Sequence, residues 1–255
     1  MTNPTSTVLV VGATGSIGRL VVVEAIRAGH AVRALVRDAG RARELPPQAQ
    51  PVVGDLTRPD ALLDAVEGVD AIVFTQGSYG SVAGEAERVD YGGVRNALLA
   101  LRGRKVRIAL MTAIGVTKRT EGHDWKRRAE RLVRTSGLPY TIVRPGWFDY
   151  NGRDEHRLVF LQGDTRHAGD PSDGAVARSQ IAEVLVRSLN SAAAERKTFE
   201  LVAEQGPPPQ DFEALFAPLD ADPPGALDAV RDIPDLPLAQ EPERVRKDFA
   251  QLTVR

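Results

Sequence analysis

The residues best placed to do chemistry lie near the start of the chain, in Gly12-Ala-Thr-Gly15-Ser-Ile-Gly18. Four apolar residues, Val8 to Val11, run into this stretch, and apolar positions at helical spacing follow it (Leu20, Val21, Val23, Ile26). That order predicts a strand, a glycine turn and a helix. Gly12 lets the chain turn at positive φ, Gly15 leaves no Cβ where a diphosphate must approach, and Gly18 lets the helix pack on the strand. The helix N-terminus offers free N–H groups and a partial positive charge to a phosphate. Thr14, Ser16 and Ile17 lie between the glycines and are grouped with them as dinucleotide-contacting positions. The spacing is GxxGxxG, so it is the strand before and the helix after that make it a binding loop.

A second position refines the ligand. The mostly apolar stretch Ala31 to Val36 reads as the next strand, with Arg37 at its end. A carboxylate here would hold the 2′-hydroxyl of NAD, whereas an arginine accommodates the 2′-phosphate of NADP. Asp38 is adjacent, so a slip of one residue would reverse the preference. Arg19, Arg41 and Arg43 read as surface residues within possible reach of a phosphate. The chain has no cysteine, hence no disulfide, thiolate nucleophile or cysteine-ligated metal. Its four histidines show no i, i+4 pairing with a carboxylate, and no metal site is expected.

These groups need a scaffold, and the rest of the chain supplies one. The 255 residues suffice for one large α/β domain, and a formal charge of −1 points to neither nucleic acid nor a membrane surface as partner. Met1 to Thr7 carries no basic and apolar signal pattern, and no apolar run approaches the ~20 residues that span a bilayer. A cytoplasmic protein acting on a small-molecule substrate is expected. Further strands are predicted at 51–54, 70–74, 106–111 and 140–144, with helices at 59–66, 85–101 and 125–135 between them. This alternation predicts an α/β fold, a Rossmann-like doubly wound parallel sheet with ligands beyond the carboxyl ends of its strands. Residues 1–202 form the dinucleotide-binding domain, with substrate-side elements from about 146 that include strands at 157–161 and 198–202 and a helix at 179–189. Residues 203–255 read as a proline-rich tail wrapped on the surface. Arg127, Arg131 and Arg134 share a helix face, and a solvated face is expected. Trp147, Phe148 and Tyr150 follow the sixth strand, where they either wall an apolar pocket or pack in the core.

The chain resembles the atypical short-chain dehydrogenases/reductases of the NAD(P)-binding, NmrA-like group. The matching motifs are VGATGSIGR, the strand-end Arg37, Gly54-Asp-Leu56, Val89-Asp-Tyr-Gly-Gly-Val-Arg-Asn96, Lys126 with Glu130, and Ser136-Gly-Leu-Pro-Tyr-Thr-Ile-Val-Arg-Pro-Gly146. The resemblance implies NADP as cofactor, with Asp55 and Leu56 at the adenine, Thr75, Gln76 and Gly77 beside the ribose, and Arg144, Pro145 and Gly146 on the nicotinamide side. It also implies a catalytic tyrosine four residues before Lys126, but Gly122 stands there, and Ala113 takes the usual serine position beside Thr112. His123 and the Thr112 hydroxyl are the candidate replacements for the missing acid, and Lys126 is expected to hold the ribose. The function implied is an NADP-dependent oxidoreductase acting on a small carbonyl or quinone-like acceptor. The alternative is a non-catalytic NADP(H) sensor.

Overall fold

The sheet starts from Thr7–Val11 (β1), whose last four residues are buried on both faces and carry no polar side chain. The computed structural model describes residues 6–78 and 82–253. Beside β1 lie Ala31–Val36 (β2) and Gln50–Val53 (β3) on one side. On the other side follow Ala71–Phe74 (β4), Arg107–Met111 (β5) and Tyr140–Pro145 (β6). Lys197–Glu204 (β10) pairs in parallel with β6, and Arg157–Leu161 (β8) closes the far edge antiparallel to β10. The order is β3-β2-β1-β4-β5-β6-β10-β8, so the chain reverses direction between β1 and β4. At that reversal the connections diverge and leave a crevice beyond the strand ends. Trp147–Phe148 (β7) and Ala175–Val176 (β9) form a separate parallel pair above the end of β6.

Helices cover both faces. Gly18–Arg27 (α1) packs with Arg178–Leu189 (α5) on one, and Gly92–Ala100 (α3) and Glu121–Thr135 (α4) pack with Glu243–Thr253 (α7) on the other. Each face has its own apolar cluster, one around Val10, Val21, Ile181 and Phe199, the other around Leu9, Ile72, Leu132 and Phe249. Local sequence sets the ends. Thr120 accepts the His123 N–H and starts α4 four residues before the expected Trp125, and Gly137 ends it at φ +66°. The helix expected at 85–101 is π-helical from Ala86 to Tyr91 before α3 begins, which turns Asp90 inward. The helix expected at 59–66 is a 3₁₀ turn at Pro59–Leu62 followed by the short Leu63–Val66 (α2).

Two expectations fail at the C-terminal end, and for one reason. The arginine face of α4 is not solvated, because Arg127 and Arg131 are at most 1% exposed and Arg134 is buried beside them. The proline-rich segment is folded against that face and carries its counter-charges inward. Asp228 bonds Arg127 and Arg131, Asp235 bonds Arg127, Glu241 bonds Arg128 and Arg131, and Asp222 bonds Arg134. Arg144, expected on the nicotinamide side, is also fully buried and is gripped by Glu130, Glu200 and Asp232. Prolines keep this segment out of the sheet, yet Glu213–Phe216 (α6) and α7 still seat Phe216, Val245, Phe249 and Leu252 in the two cores. The buried arginines are tolerable only because every charge has a partner.

Candidate functional site

The glycine loop joins β1 to α1 at the reversal point. Gly12 has φ +83°, and a Cβ there would stand 2.8 Å from the Gln76 nitrogen. A Cβ on Gly18 would come within 2.0 Å of the Gly12 carbonyl oxygen, so these two glycines are required by the turn and by helix packing. Gly15 is different. Its φ is not positive, it is exposed, and only the Gly12 oxygen lies near, 3.1 Å from where a Cβ would be. Its missing side chain therefore serves open space above the loop rather than the turn. Thr14 is half-buried, Ser16 is exposed and Ile17 points into the core. No side chain caps α1, and its first turn holds no acidic residue, so the positive end of the helix is open to an anion.

Around the loop, the expected contacts divide into those that face the crevice and those already used by the fold. Arg37 is exposed at the end of β2, bonds no other described residue and acts electrostatically on Asp55. One Asp55 oxygen accepts the Thr57 N–H at 2.8 Å and the Thr57 hydroxyl at 2.7 Å, a turn contact that holds its carboxyl below the usual range. Leu56 is half-buried beside Gly93, and its carbonyl is held by Asn96. The Thr75 hydroxyl gives its proton to the Val11 carbonyl at 2.8 Å and packs between Gly12 and Gly18, which leaves it only as an acceptor. Gln76, next in line, keeps its amide oxygen buried without a partner among the described residues. Gly77 passes close to Asp90 and Lys126: a Cβ there would lie 3.8 Å and 3.9 Å from their charged atoms. Lys126 donates to Asp90 at 2.8 Å, and Asp90 also accepts from the Ser78 hydroxyl at 2.5 Å. The expected loop from Thr75 to Gly84 continues through 79–81, which lie outside the described residues.

Beyond the ends of β5 and β6 is a cavity of about 390 Å³. Ala113, Ile114, Pro145, Gly146, Trp147 and Phe148 give it apolar walls, and Lys118, His123 and His167 bring polar groups to it. Trp147 stacks edge-on against the exposed Tyr150, with ring centroids 6.1 Å apart. Of the three candidate catalytic groups, only His123 lines this space. Its Nδ1 is 3.2 Å from the Lys118 carbonyl oxygen, which accepts a proton held on that nitrogen and leaves Nε2 free. Burial pushes the His123 pKa down, with the Lys118 carbonyl partly opposing it, so the ring is neutral at pH 7. In that form Nε2 is an acceptor, whereas the expected acid role needs the imidazolium. Thr112 is buried and donates its hydroxyl to Glu130 at 2.7 Å, within the ionic cluster and off the cavity wall. Gly122 is the second residue of α4, and a Cβ there would meet nothing within 4 Å.

Sequence reasoning passed over two groups that build this site. Asp164, at φ +46°, accepts the Gly115 N–H at 2.6 Å and the Thr117 N–H at 2.7 Å, fixing the cavity wall. Its own N–H donates to Glu200, which ties that wall to Arg144. Arg178 opens α5 and reaches the glycine loop, its Nε 3.2 Å from the Ser16 hydroxyl. Asp164 lies in an irregular stretch with no repeating pattern, and Arg178 looks from the sequence like any helix-surface arginine.

Residues 12–192 match the model of the NAD(P)H-binding family. The chain belongs to that family. A dinucleotide fits the site, because the uncapped α1 and the open space over Gly15 lie together at the reversal point. Among its relatives, an uncharacterized sugar epimerase of Bacillus subtilis is 30% identical over 78% of this chain and 95% of its own. Sanguinarine reductase of Eschscholzia californica is 25% identical over 83% of this chain and 95% of its own. A solved structure, an NAD-dependent epimerase/dehydratase-like protein of Bacillus halodurans, superposes with a TM-score of 0.65, at 25% identity, over 83% of this chain and 97% of that one.

Proposed function

We propose that the protein is an NADP(H)-dependent reductase of a small, planar, largely apolar acceptor of the quinone or conjugated carbonyl class. The observation that carries this reading is the apolar cavity at the ends of β5 and β6, on the same sheet edge as the glycine loop. Arg37 supports the phosphorylated form of the dinucleotide, since an exposed guanidinium beside Asp55, with no bond to any other described residue, suits a 2′-phosphate. The glycine loop and α1 would hold the diphosphate, and Gln76, Gly77 and Lys126 the ribose toward the cavity. The reduced nicotinamide supplies a hydride when bound.

The protein's own groups set which acceptor is reduced. An isolated carbonyl needs an acid, because its reduction builds an alkoxide. Burial favours the neutral form of His123, Thr112 is bonded to Glu130, and Gly122 rather than a tyrosine stands four residues before Lys126. A quinone places its charge on a stabilised phenolate, for which the cationic Lys118 on the cavity wall is sufficient. Lys126, already paired with Asp90, orients rather than protonates. The same lack of a proton donor favours, as a second reading, a non-catalytic NADP(H)-responsive protein. NADPH oxidation measured against quinones, conjugated carbonyls and simple aldehydes separates the two. Turnover with quinones at least about a hundredfold above aldehydes is expected, the scale of one positioned acid. Tight NADPH binding with no acceptor reduced would leave the sensor reading.

A further inference from the structure

Arg178 joins three parts of the site. Its backbone N–H donates to Asp149 Oδ1 at 2.9 Å, which anchors the first residue of α5. Its guanidinium pairs with Asp149 Oδ2, donates to Ser16 in the glycine loop and lies 5.3 Å from the centre of the Phe148 ring on the cavity wall. Among the described residues it is the cationic side chain bonded to that loop; Arg19, next to it in sequence, turns away to Glu44. The pair is not locked in place, since about a third of the Arg178 side chain and half of that of Asp149 are exposed. Asp149 sits at φ +60°, a conformation that a non-glycine residue adopts only when its surroundings hold it.

We propose that Arg178 is a diphosphate-binding arm, which exchanges Asp149 and Ser16 for the dinucleotide's phosphates and so links cofactor binding to the cavity wall at Phe148. This rests on the dinucleotide reading above. The chemistry favours the exchange. A guanidinium presents a planar fork of donors matched to phosphate oxygens, and a diphosphate offers more charge than one half-exposed carboxylate. Asp149 keeps its bond to the Arg178 backbone when the side chain leaves, so α5 retains its N-terminal anchor. In the free protein, Asp149 competes with the ligand for the same guanidinium.

Opposite effects of two substitutions test the proposal. NADPH dissociation constants are measured by nucleotide fluorescence for the wild type, Arg178→Ala, Arg178→Lys and Asp149→Asn, together with melting temperatures of the nucleotide-free proteins. Arg178→Ala is expected to weaken binding about tenfold or more without lowering the melting temperature, as loss of one charge-assisted contact should. Arg178→Lys recovers part of the affinity, and Asp149→Asn tightens binding by releasing the arm. Unchanged affinity in Arg178→Ala overturns the proposal. Equal weakening in all three variants with lower melting temperatures also overturns it, because that pattern belongs to loop packing. Failure of the wild type itself to bind NADPH would instead overturn the reading on which the arm rests.

Discussion

Replacing Arg144 with methionine tests the buried ionic cluster that ties the C-terminal segment to the sheet. Arg144 is 0% exposed, and its guanidinium bonds Glu130 at 2.7 and 3.0 Å, Asp232 at 2.6 and 2.8 Å and Glu200 at 3.3 Å. Methionine fills most of the volume but leaves those carboxylates without their shared cation. Glu130 keeps Arg134, whereas Asp232 loses its only ion-pair partner among the described residues. Breaking a buried pair from one side costs about 3–5 kcal/mol, a large part of a typical folding free energy. For a chain of this size that corresponds to a fall in melting temperature of roughly 6–20 °C. Urea unfolding followed by circular dichroism measures it. Adding Asp232→Leu to Arg144→Met should recover part of the loss, because the stranded charge is then removed too. A loss below about 1 kcal/mol for Arg144→Met would refute the reasoning, since only a hydrated cluster could absorb the change so cheaply.

Stability should depend on pH through the same cluster. Burial raises the Glu200 carboxyl to about 7 against the pull of Arg144, so the native state binds a proton there more tightly than the unfolded chain, and stability falls between about pH 4.5 and 7. Asp232 opposes this at the acid end: Arg144 outweighs the effect of burial and holds it at about 2, so its contribution is present above pH 4 and lost as pH falls toward 2. Urea midpoints across pH 3–8 should therefore peak between about 4 and 5, and Glu200→Gln should flatten the decline toward neutrality. Gly15→Val should abolish NADPH binding while the melting temperature stays within a few degrees, because the residue is exposed and not at positive φ; intact affinity would make the loop a turn only. His123→Asn should leave the pH profile of quinone reduction unchanged between pH 7 and 8.5, since the ring is already neutral there. A wild-type activity that falls across that range and is levelled by the substitution would show an imidazolium acid.

The parallel sheet was legible because β1 and β4 are almost wholly apolar, the other strands carry apolar runs broken by only one or two polar residues, and glycines or caps set element ends, as at Gly12, Thr120 and Gly137. The glycine loop was legible for the same reason. Arg127, Arg131 and Arg134 were not, because a charged face reads as solvated unless its counter-charges can be seen, and Arg144 was placed beside the nicotinamide because its buried carboxylate partners lie elsewhere in the sequence. Those counter-charges come from Asp222, Asp228, Asp232, Asp235 and Glu241, about ninety to more than a hundred residues from most of the arginines they meet. No local period encodes such a pairing. Asp90 was legible as part of a motif, but its hold on Lys126 depends on a π-helical turn that side-chain spacing does not reveal.

On the reading proposed above, this crevice binds a phosphorylated nicotinamide dinucleotide through the end of β2. Calorimetric titration of NADPH and NADH into the wild type and Arg37→Asp tests it most directly. The wild type should bind NADPH about tenfold or more tightly than NADH, and Arg37→Asp should remove or invert that preference. Equal affinities in the wild type, or a preference that survives the substitution, would contradict it.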